Sequence, residues 1–439
     1  MWALYLACTS KPEPVAEPAI QGSNLVVVTL DTTRADALGA YGGPASPIFD
    51  ELAARGTRFA WAISHTSTTL NAHTSLFTGY DPHGHAVPRN GFTLPDELET
   101  VASRMRSAGW DTIGIAAASA LDSETKIDRG FRIWNDDLTI DKGVRYEARG
   151  DDVTRRALEA VDQRQTDRPL LLFVHYYDAH SPYEAPDGPS TSWDGVEDAL
   201  EQAAKASRDG TLTDGLASDL RAMYQAEVLY QDGQLGELFA GLTERGVLDD
   251  ESHIVITADH GEMFFENRTR PVGHGPDVDL PVTHIPLLVV GPKAQPLVVE
   301  QPVKLSDVGP TLLDLVDLEA TLGTGQSLTP LLAGGSLPTT PIYLEATRPY
   351  RQEGPKWNNL PAERGVVDDG HLLIKSGKKS GSSRLYALDA EQTPAADPDR
   401  KTAMTDQLQA WDEAAPEYRP ETMSDSMREA LRALGYMDE

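Results

Sequence analysis

The feature that most constrains the fold is a short apolar run close to the start of the chain. Residues Asn24–Leu30 read NLVVVTL, and they lie between Gly22-Ser23 and Asp31. A continuous β-branched run of this length, without alternation, is typical of a strand that is buried on both faces in a parallel sheet. The run therefore predicts a layered α/β fold in which Asp31 lies at the carboxyl end of a central strand.

Further strands and helices alternate along the chain, as such a fold requires. Proline at helix starts and glycine at helix ends mark several of the boundaries. The predicted helices are Pro47–Arg55, Leu98–Ala108 and Leu220–Arg245, and the predicted strands are Asp111–Ala116, Leu170–Val174, His253–Thr257 and Ile285–Val290. Residues 187–219 lack clear periodicity and are rich in Gly, Ser, Thr and Asp, which predicts a surface insertion.

The character of the sequence changes near residue 340. Short alternating segments with glycine-rich turns follow, and they predict a small antiparallel sheet. These segments are Ile342–Glu345, Arg364–Asp368, His371–Lys375 and Ser383–Leu388. The sequence therefore predicts a large α/β domain, residues 22–340, and a C-terminal subdomain, residues 341–439. A chain of 439 residues is long enough for both.

The charge balance excludes one class of function. The chain has 38 basic and 68 acidic residues, a net charge of −30. This charge repels nucleic acid and anionic lipid surfaces, so we expect no nucleic-acid partner. A small anionic substrate would also be repelled at long range, and its site would need local positive charge from a metal ion or from basic side chains.

The single cysteine, Cys8, rules out a disulfide framework and a clustered thiolate site. It ends the apolar run Leu4–Cys8 and is followed by the proline-rich segment Thr9–Pro14. This pattern resembles the end of a bacterial lipoprotein signal, although Tyr5 and Leu6 are large for their positions and no basic region precedes the run. Residues 1–21 would then be a tether, with lipidated Cys8 anchoring the protein to the membrane of a bacterial cell envelope, at the periplasmic side. The alternative is a frayed terminus with an incidental cysteine.

Metal-binding residue types follow three of the predicted strands. Asp31 follows the first, Asp178 and His180 follow Leu170–Val174, and the pair Asp259-His260 follows His253–Thr257. In an open parallel sheet, ligands bind outside the carboxyl ends of the strands. We therefore expect these side chains to lie close together at one edge of the sheet.

Four strings in the same order resemble motifs of the sulfatase family, within the alkaline phosphatase superfamily. They are Leu30–Gly42, Ser75–His85, Tyr177–Tyr183 and Thr257–Glu262. The resemblance covers nearly the whole chain after residue 22. It implies a sandwich of alkaline phosphatase type with a mostly parallel central sheet, and a sulfuric or phosphoric ester hydrolase that acts on a small anionic ester.

The resemblance also assigns the nucleophile. Counting back from Ser75, the family's Cys-x-Pro-Ser-Arg pentad falls on Thr69–His73, so Thr69 stands where a typical sulfatase carries formylglycine. A threonine hydroxyl can attack phosphorus or sulfur once a metal lowers its pKa. It lacks the second hydroxyl by which a formylglycine hydrate releases sulfate, so water or a second acceptor must cleave the ester. Two alternatives stay open: Thr69 as a simple helix cap, and Thr68 as the nucleophile.

The resemblance implies that Asp31, Thr69, Asp259 and His260 bind one divalent ion. Two carboxylates and an imidazole suit zinc or manganese better than calcium. Typical sulfatases also carry a second acidic residue where this chain has Thr32, and often an asparagine where it has His260. Both replacements favour a softer ion than calcium.

The roles of Asp178, His180 and His274 are less constrained. By resemblance to the two-zinc phosphodiesterase branch, they would complete a second metal site. In a single-metal site, His180 and His274 would instead act as acids or bind the anion, and a third possibility is that they are structural.

Arg34 and His73 are candidates for orienting the nucleophile and the transferred group, with an ordinary salt bridge as the alternative for Arg34. The Lys-x-His pair of sulfatases is replaced by Ala116–Ala120. Two rival functions remain: a phospho-group transferase of the lipid-headgroup type, and a non-catalytic binding module on the same fold.

Overall fold

The computed structural model describes residues 22–140, 143–144, 147–193, 199–267, 271–347, 361–377, 383–416, 424–425 and 428–429. The predicted tether with Cys8 lies outside the described residues. The architecture is α/β, with one large sheet and a separate C-terminal sheet, which confirms the predicted fold class.

The central sheet has eight strands. In chain order they are β1 Leu25–Leu30, β2 Thr57–Phe59, β3 Asp111–Ile115, β4 Ile133–Asn135, β5 Leu170–Tyr176, β6 His253–Thr257, β7 Leu287–Val290 and β8 Leu297–Val299. Their spatial order is β8-β2-β7-β6-β1-β5-β3-β4. β7 runs antiparallel to both β6 and β2, and the other pairs are parallel. β1 is therefore central and lies between β5 and β6.

Helices cover both faces of this sheet. The α-helices are Pro47–Ala53, Thr69–Thr78, Pro82–His85, Val101–Ser107, Gly150–Val161, Ala199–Asp209, Asp214–Glu244, Leu280–Thr283, Val308–Leu315, Thr329–Leu332 and Pro398–Glu413. Alternate residues of β1 enter opposite cores, since Val27 packs with the helix Thr69–Thr78 and Val28 packs with the helices Gly150–Val161 and Asp214–Glu244. The apolar run thus reflects burial on both faces. None of the described helices is long and apolar enough to cross a membrane.

The C-terminal sheet has four antiparallel strands, which are adjacent in chain order. They are Ile342–Thr347, Pro361–Asp368, His371–Ser376 and Ser383–Ala387. Met404 and Leu408 of the last helix pack on one face of this sheet. Three further small sheets are formed by Ala62–Ile63 with His284–Ile285 and Val303–Lys304, by Met263–Phe264 with Val272–Gly273, and by Thr139–Ile140 with Gly143–Val144.

Three predicted segments differ from the structure. The insertion 187–219 contains a helix, Ala199–Asp209, and the long helix starts at Asp214 instead of Leu220. The earlier start is explained by Thr213, whose hydroxyl accepts a hydrogen bond from the Leu216 N–H at 3.2 Å and so caps the helix. The predicted strand Ile285–Val290 is interrupted at Pro286, a residue that has no N–H to donate to a ladder.

Candidate metal and nucleophile site

The ends of three adjacent strands bring together the acidic and histidine residues of the site. β1 pairs in parallel with both β5 and β6. One potential ligand atom from each of Asp31, Asp259 and His260 lies within 4.8 Å of the other two, and all three residues are buried. Three carboxylate or imidazole groups this close, in the core of a chain, form an arrangement that suits a divalent cation.

Asp259 and His260 each have one polar atom that lacks a hydrogen-bond partner among the described residues. Asp259 Oδ1 accepts hydrogen bonds from the N–H of Thr32 at 3.2 Å and of His260 at 2.7 Å, whereas Oδ2 has no donor. His260 Nδ1 is 3.0 Å from the Gly261 carbonyl oxygen, so Nδ1 carries the proton and Nε2 keeps its lone pair. Burial lowers the pKa of His260 to about 4, which keeps the ring neutral.

Asp31 shows the same division between its two oxygens. Oδ2 lies 3.1 Å from His175 Nε2, while Oδ1 has no hydrogen-bond partner in the part of the chain that the structure describes. Burial and the nearby Asp259 carboxylate raise the pKa of Asp31 well above its usual range. Asp31, Asp259 and His260 thus each have one buried lone-pair atom without a hydrogen bond among the described residues. A bound cation would be coordinated by all three of these atoms.

Thr69 lies beside this group. It is the first residue of the helix Thr69–Thr78, it is fully buried, and its hydroxyl interacts with the Asp31 carboxylate. Thr68 is the N-cap residue, but its hydroxyl lies 3.3 Å from Thr66 Oγ1 and makes no capping bond. The structure therefore places Thr69, one residue past the cap position, next to the acidic group.

His73 supports the first turn of that helix. Its Nδ1 is 2.8 Å from the Thr69 carbonyl oxygen, and its Nε2 is 2.9 Å from Thr29 Oγ1. The ring is fully buried, with Nδ1 3.9 Å from Asp259 Oδ2. Since both nitrogens have partners within the protein, His73 orients the segment that carries Thr69 and offers no nitrogen to a substrate.

Arg34 is engaged elsewhere. Its guanidinium forms ion pairs with Asp36 at 2.7 Å and Glu266 at 2.8 Å, and it donates to the Glu262 carbonyl oxygen at 3.0 Å. Four of its five N–H donors are used in these contacts, two of them to Asp36. The salt-bridge alternative describes Arg34 better than a role in orienting the transferred group.

The imidazole ring of His274 lies next to the rings of both His260 and His180. The His274 ring centroid is 4.5 Å from that of His260 and 4.9 Å from that of His180. His274 Nδ1 lies 3.3 Å from both carboxylate oxygens of Glu262, and His180 stacks on Tyr177 at 4.3 Å. The two histidines are therefore held at the border of the candidate metal site.

The Asp178 carboxylate contacts the start of another helix. Its Oδ1 accepts a hydrogen bond from the Gly150 N–H at 2.7 Å and so caps the helix Gly150–Val161, and burial raises its pKa to about 7. Within the described residues, no group of three potential ligands contains Asp178, His180 and His274.

A second acidic group exists away from the strand ends. It consists of Asp277, Asp279 and Glu363, and Arg384 lies 3.2 Å from Glu363 and 3.8 Å from Asp279. The guanidinium offsets part of that negative charge.

Sequence reasoning missed His175, which contacts Asp31, and Asn90, which contacts the residue after Thr69. Asn90 Oδ1 accepts a hydrogen bond from the Leu70 N–H at 2.8 Å, which fixes the Asn90 side-chain amide near Thr69. The buried Nδ2 of Asn90 has no hydrogen-bond partner within the described ranges. Asn90 lies in a loop without periodicity, so nothing in the sequence singles it out. His175 directly follows the predicted strand Leu170–Val174, but its role depends on a contact with Asp31 that only the fold reveals.

Comparisons with known proteins identify the family and the fold. The family model described as Sulfatase matches residues 23–318. Arylsulfatase K of Danio rerio is 35% identical over 130 residues, which are 29% of this chain and 24% of that protein. The match thus spans about a quarter of that curated relative's length.

Two solved structures share the fold. One is a protein in complex with its substrate D-glucosamine-2-N,6-O-disulfate, with a TM-score of 0.71 and 18% identity, covering 90% of this chain and 98% of that one. The other is a phosphonate monoester hydrolase from Silicibacter pomeroyi, with a TM-score of 0.68 and 21% identity, covering 90% and 96%.

Proposed function

The chain belongs to the sulfatase family, as the motifs predict, and from that premise we propose that it is a metal-dependent hydrolase of sulfate, phosphate or phosphonate esters with Thr69 as the nucleophile. The observation that carries the proposal is the set of three buried, unpartnered donor atoms of Asp31, Asp259 and His260 beside the Thr69 hydroxyl. A non-catalytic binding module would have no need for a hydroxyl at that place.

The donor set fits a small divalent ion. Each carboxylate has one oxygen committed to hydrogen bonds within the protein, so each offers a single oxygen to the ion. With His260 Nε2 and the Thr69 hydroxyl, this makes four ligands, the number typical of zinc, whereas calcium takes ~6–8 oxygens. We therefore favour zinc or manganese over calcium. When bound, the ion supplies Lewis acidity and lowers the pKa of the coordinated hydroxyl.

The residues of the site then have separate roles in the two steps of the reaction. Thr69 Oγ attacks the sulfur or phosphorus atom and displaces the alcohol, which leaves the sulfuryl or phosphoryl group on Thr69. Water attacks that ester in the second step and regenerates the hydroxyl. We assign the proton transfers to His180 and His274: in the first step one of these rings takes the proton of the Thr69 hydroxyl and passes it to the departing oxygen, and in the second step the proton lost by the attacking water returns to Thr69 Oγ. His73 holds the helix turn that carries Thr69 through its contact with the Thr69 carbonyl.

Asn90 is the donor that we assign to the transferred group. Because its Oδ1 is held by the Leu70 N–H, its Nδ2 is presented at a fixed place next to Thr69. A preorganised amide of this kind stabilises negative charge on an oxygen without adding a cation. The start of the helix Thr69–Thr78 adds the positive end of a helix dipole at the same place.

Replacing Asn90 with alanine tests this assignment. We expect kcat/KM to fall by about 10²- to 10³-fold, the usual loss for one oxyanion donor. Thr347→Val is the matched control, because Thr347 Oγ1 donates to the Pro88 carbonyl at 3.1 Å and anchors the same loop without contributing that donor. If Thr347→Val loses as much kcat/KM as Asn90→Ala, loop position and not the amide is what matters.

A substrate panel tests the proposed chemistry. We expect phosphate diesters, phosphate monoesters or phosphonates to be turned over with higher kcat/KM than aryl sulfates, because Thr69 lacks the second hydroxyl that releases sulfate by elimination. Each substrate is assayed with zinc, manganese and calcium. A higher kcat/KM for aryl sulfates than for every phosphorus ester would contradict the proposal. Product analysis with an added alcohol separates hydrolysis from transfer to a lipid-type acceptor.

The location of the protein is a separate part of the proposal. We propose that lipidated Cys8 anchors the mature chain at a bacterial cell envelope, since it is the sole cysteine and it precedes a proline-rich segment. Mass spectrometry of the native protein checks this, and an unmodified Cys8 in the mature chain would refute it.

A further inference from the structure

His175 contacts Asp31 through Oδ2, the carboxylate oxygen that we do not assign to the metal ion. It belongs to β5, which pairs with β1 so that His175 lies opposite Thr29, two residues before Asp31. Both His175 and Asp31 are fully buried, and Nε2 of the ring is 3.1 Å from Asp31 Oδ2. The contact is therefore shielded from water and held by the central strands of the sheet.

A backbone group decides which nitrogen of His175 carries the proton. The Ala117 N–H donates a hydrogen bond to Nδ1 at 3.2 Å. A nitrogen that accepts this bond cannot itself be protonated, so the proton of the neutral ring lies on Nε2. His175 therefore acts as a donor to Asp31, and Ala117 keeps it in that state.

This contact limits what Asp31 can offer to an ion. Its Oδ2 is occupied by His175, and only Oδ1 remains without a partner. Calcium sites commonly use carboxylates through both oxygens and need more ligands than zinc sites. A carboxylate that is held to one oxygen therefore favours the smaller ion with fewer ligands.

We infer that His175 is a positioning residue that holds Asp31 in single-oxygen coordination and thereby sets the preference of the site for zinc or manganese over calcium. The inference rests on the metal site of the proposed function. Carboxylate and histidine partners outside the ligand set commonly orient metal ligands in this way.

Metal affinities of two variants test the inference. In His175→Ala, Asp31 is released, and we expect zinc affinity to fall about 10- to 100-fold, as is usual for such partners. The ratio of zinc to calcium affinity should fall as well, because Asp31 can then use both oxygens. His175→Gln should restore part of both quantities, since its amide can donate to Asp31 and accept from the Ala117 N–H. Competition with a chromogenic chelator measures each affinity without any assay of activity.

His85→Gln is the matched control. His85 is fully buried, its Nδ1 accepts a hydrogen bond from the Val87 N–H at 3.0 Å, and its Nε2 is 3.0 Å from Ser75 Oγ. The ring thus has the same tautomer as His175, but its partner is a hydroxyl outside the candidate metal site. The control variant should lose folding stability and retain the zinc to calcium ratio of the wild type.

The possible outcomes distinguish failure of the proposed function from failure of the inference about His175. If the wild-type protein binds no divalent ion, the proposed function fails and the inference fails with it. If the wild type prefers zinc and His175→Ala keeps both its zinc affinity and its zinc to calcium ratio, only the inference is overturned. A crystal structure of the zinc-loaded wild type needs no variant: Asp31 bound through one oxygen, with Oδ2 on His175, supports the inference, and Asp31 bound through both oxygens overturns it.

Discussion

Replacing Thr69 with alanine is expected to lower kcat/KM by about 10⁴-fold or more, the scale of losing a covalent nucleophile. The hydroxyl interacts with Asp31 at the point where the three unpartnered donor atoms meet. Alanine removes the attacking oxygen and one proposed metal ligand together, and it fits the space and the helix start. Steady-state kinetics on the best substrate of the panel measures the loss.

Two further variants make this result specific. Thr68→Ala removes a hydroxyl whose partner is Thr66 Oγ1, so its kcat/KM should stay within about tenfold of the wild type, as for a residue outside the reacting group. Thr69→Ser keeps an attacking oxygen and should retain most of the activity. If Thr69→Ala is fully active, or if Thr68→Ala suffers the large loss, the assignment of the chemistry to Thr69 is wrong.

Replacing Asp259 with asparagine is expected to abolish binding of the divalent ion and to lower kcat/KM by about 10³-fold or more, since the ion is proposed to activate the nucleophile. Asparagine Oδ1 can still accept from the Thr32 and His260 N–H groups, so the backbone around the site should be retained. In asparagine, however, an NH₂ group replaces Oδ2. This group presents hydrogens to the cation and cannot act as a metal ligand. Elemental analysis measures the metal content, steady-state kinetics measures kcat/KM, and thermal unfolding checks that the fold is retained.

Asp178→Asn is the matched control for Asp259→Asn. Asp178 is also a buried aspartate with one oxygen on a backbone N–H, that of Gly150, and asparagine retains that bond. The variant should keep its metal content. Loss of one ion from Asp178→Asn would instead support the two-metal interpretation, and an intact ion in Asp259→Asn would contradict the proposed ligand set.

The main parts of the site could be predicted because they follow from the topology of the sheet. An unbroken apolar run requires burial on both faces, which makes Leu25–Leu30 a central strand. Parallel neighbours then bring the residues after β1 and β6 to the same edge, and this places Asp31 near Asp259 and His260. Alternation of strands and helices was enough for the fold class.

Other features depend on contacts between segments far apart in sequence. The partners of Arg34 include Glu266, and neither residue reveals the pairing in its local sequence. Asp178 has the residue type of a metal ligand, but the start of a distant helix at Gly150 uses its carboxylate. The helix Ala199–Asp209 consists mainly of good helix formers, and it was missed because the Gly, Ser, Thr and Asp residues on both sides of it dominate the composition of segment 187–219.

The measurement that tests the central claim most directly is to trap the covalent intermediate. The zinc- or manganese-loaded protein is mixed with a substrate that has a good leaving group, quenched in acid within the first turnover, digested and analysed by tandem mass spectrometry. We predict a phosphoryl or sulfuryl group on the peptide that contains Thr69, with the fragment ions placing it on Thr69 itself. A group on Thr68 or on His180, or turnover of the substrate without any covalent adduct, would contradict the claim.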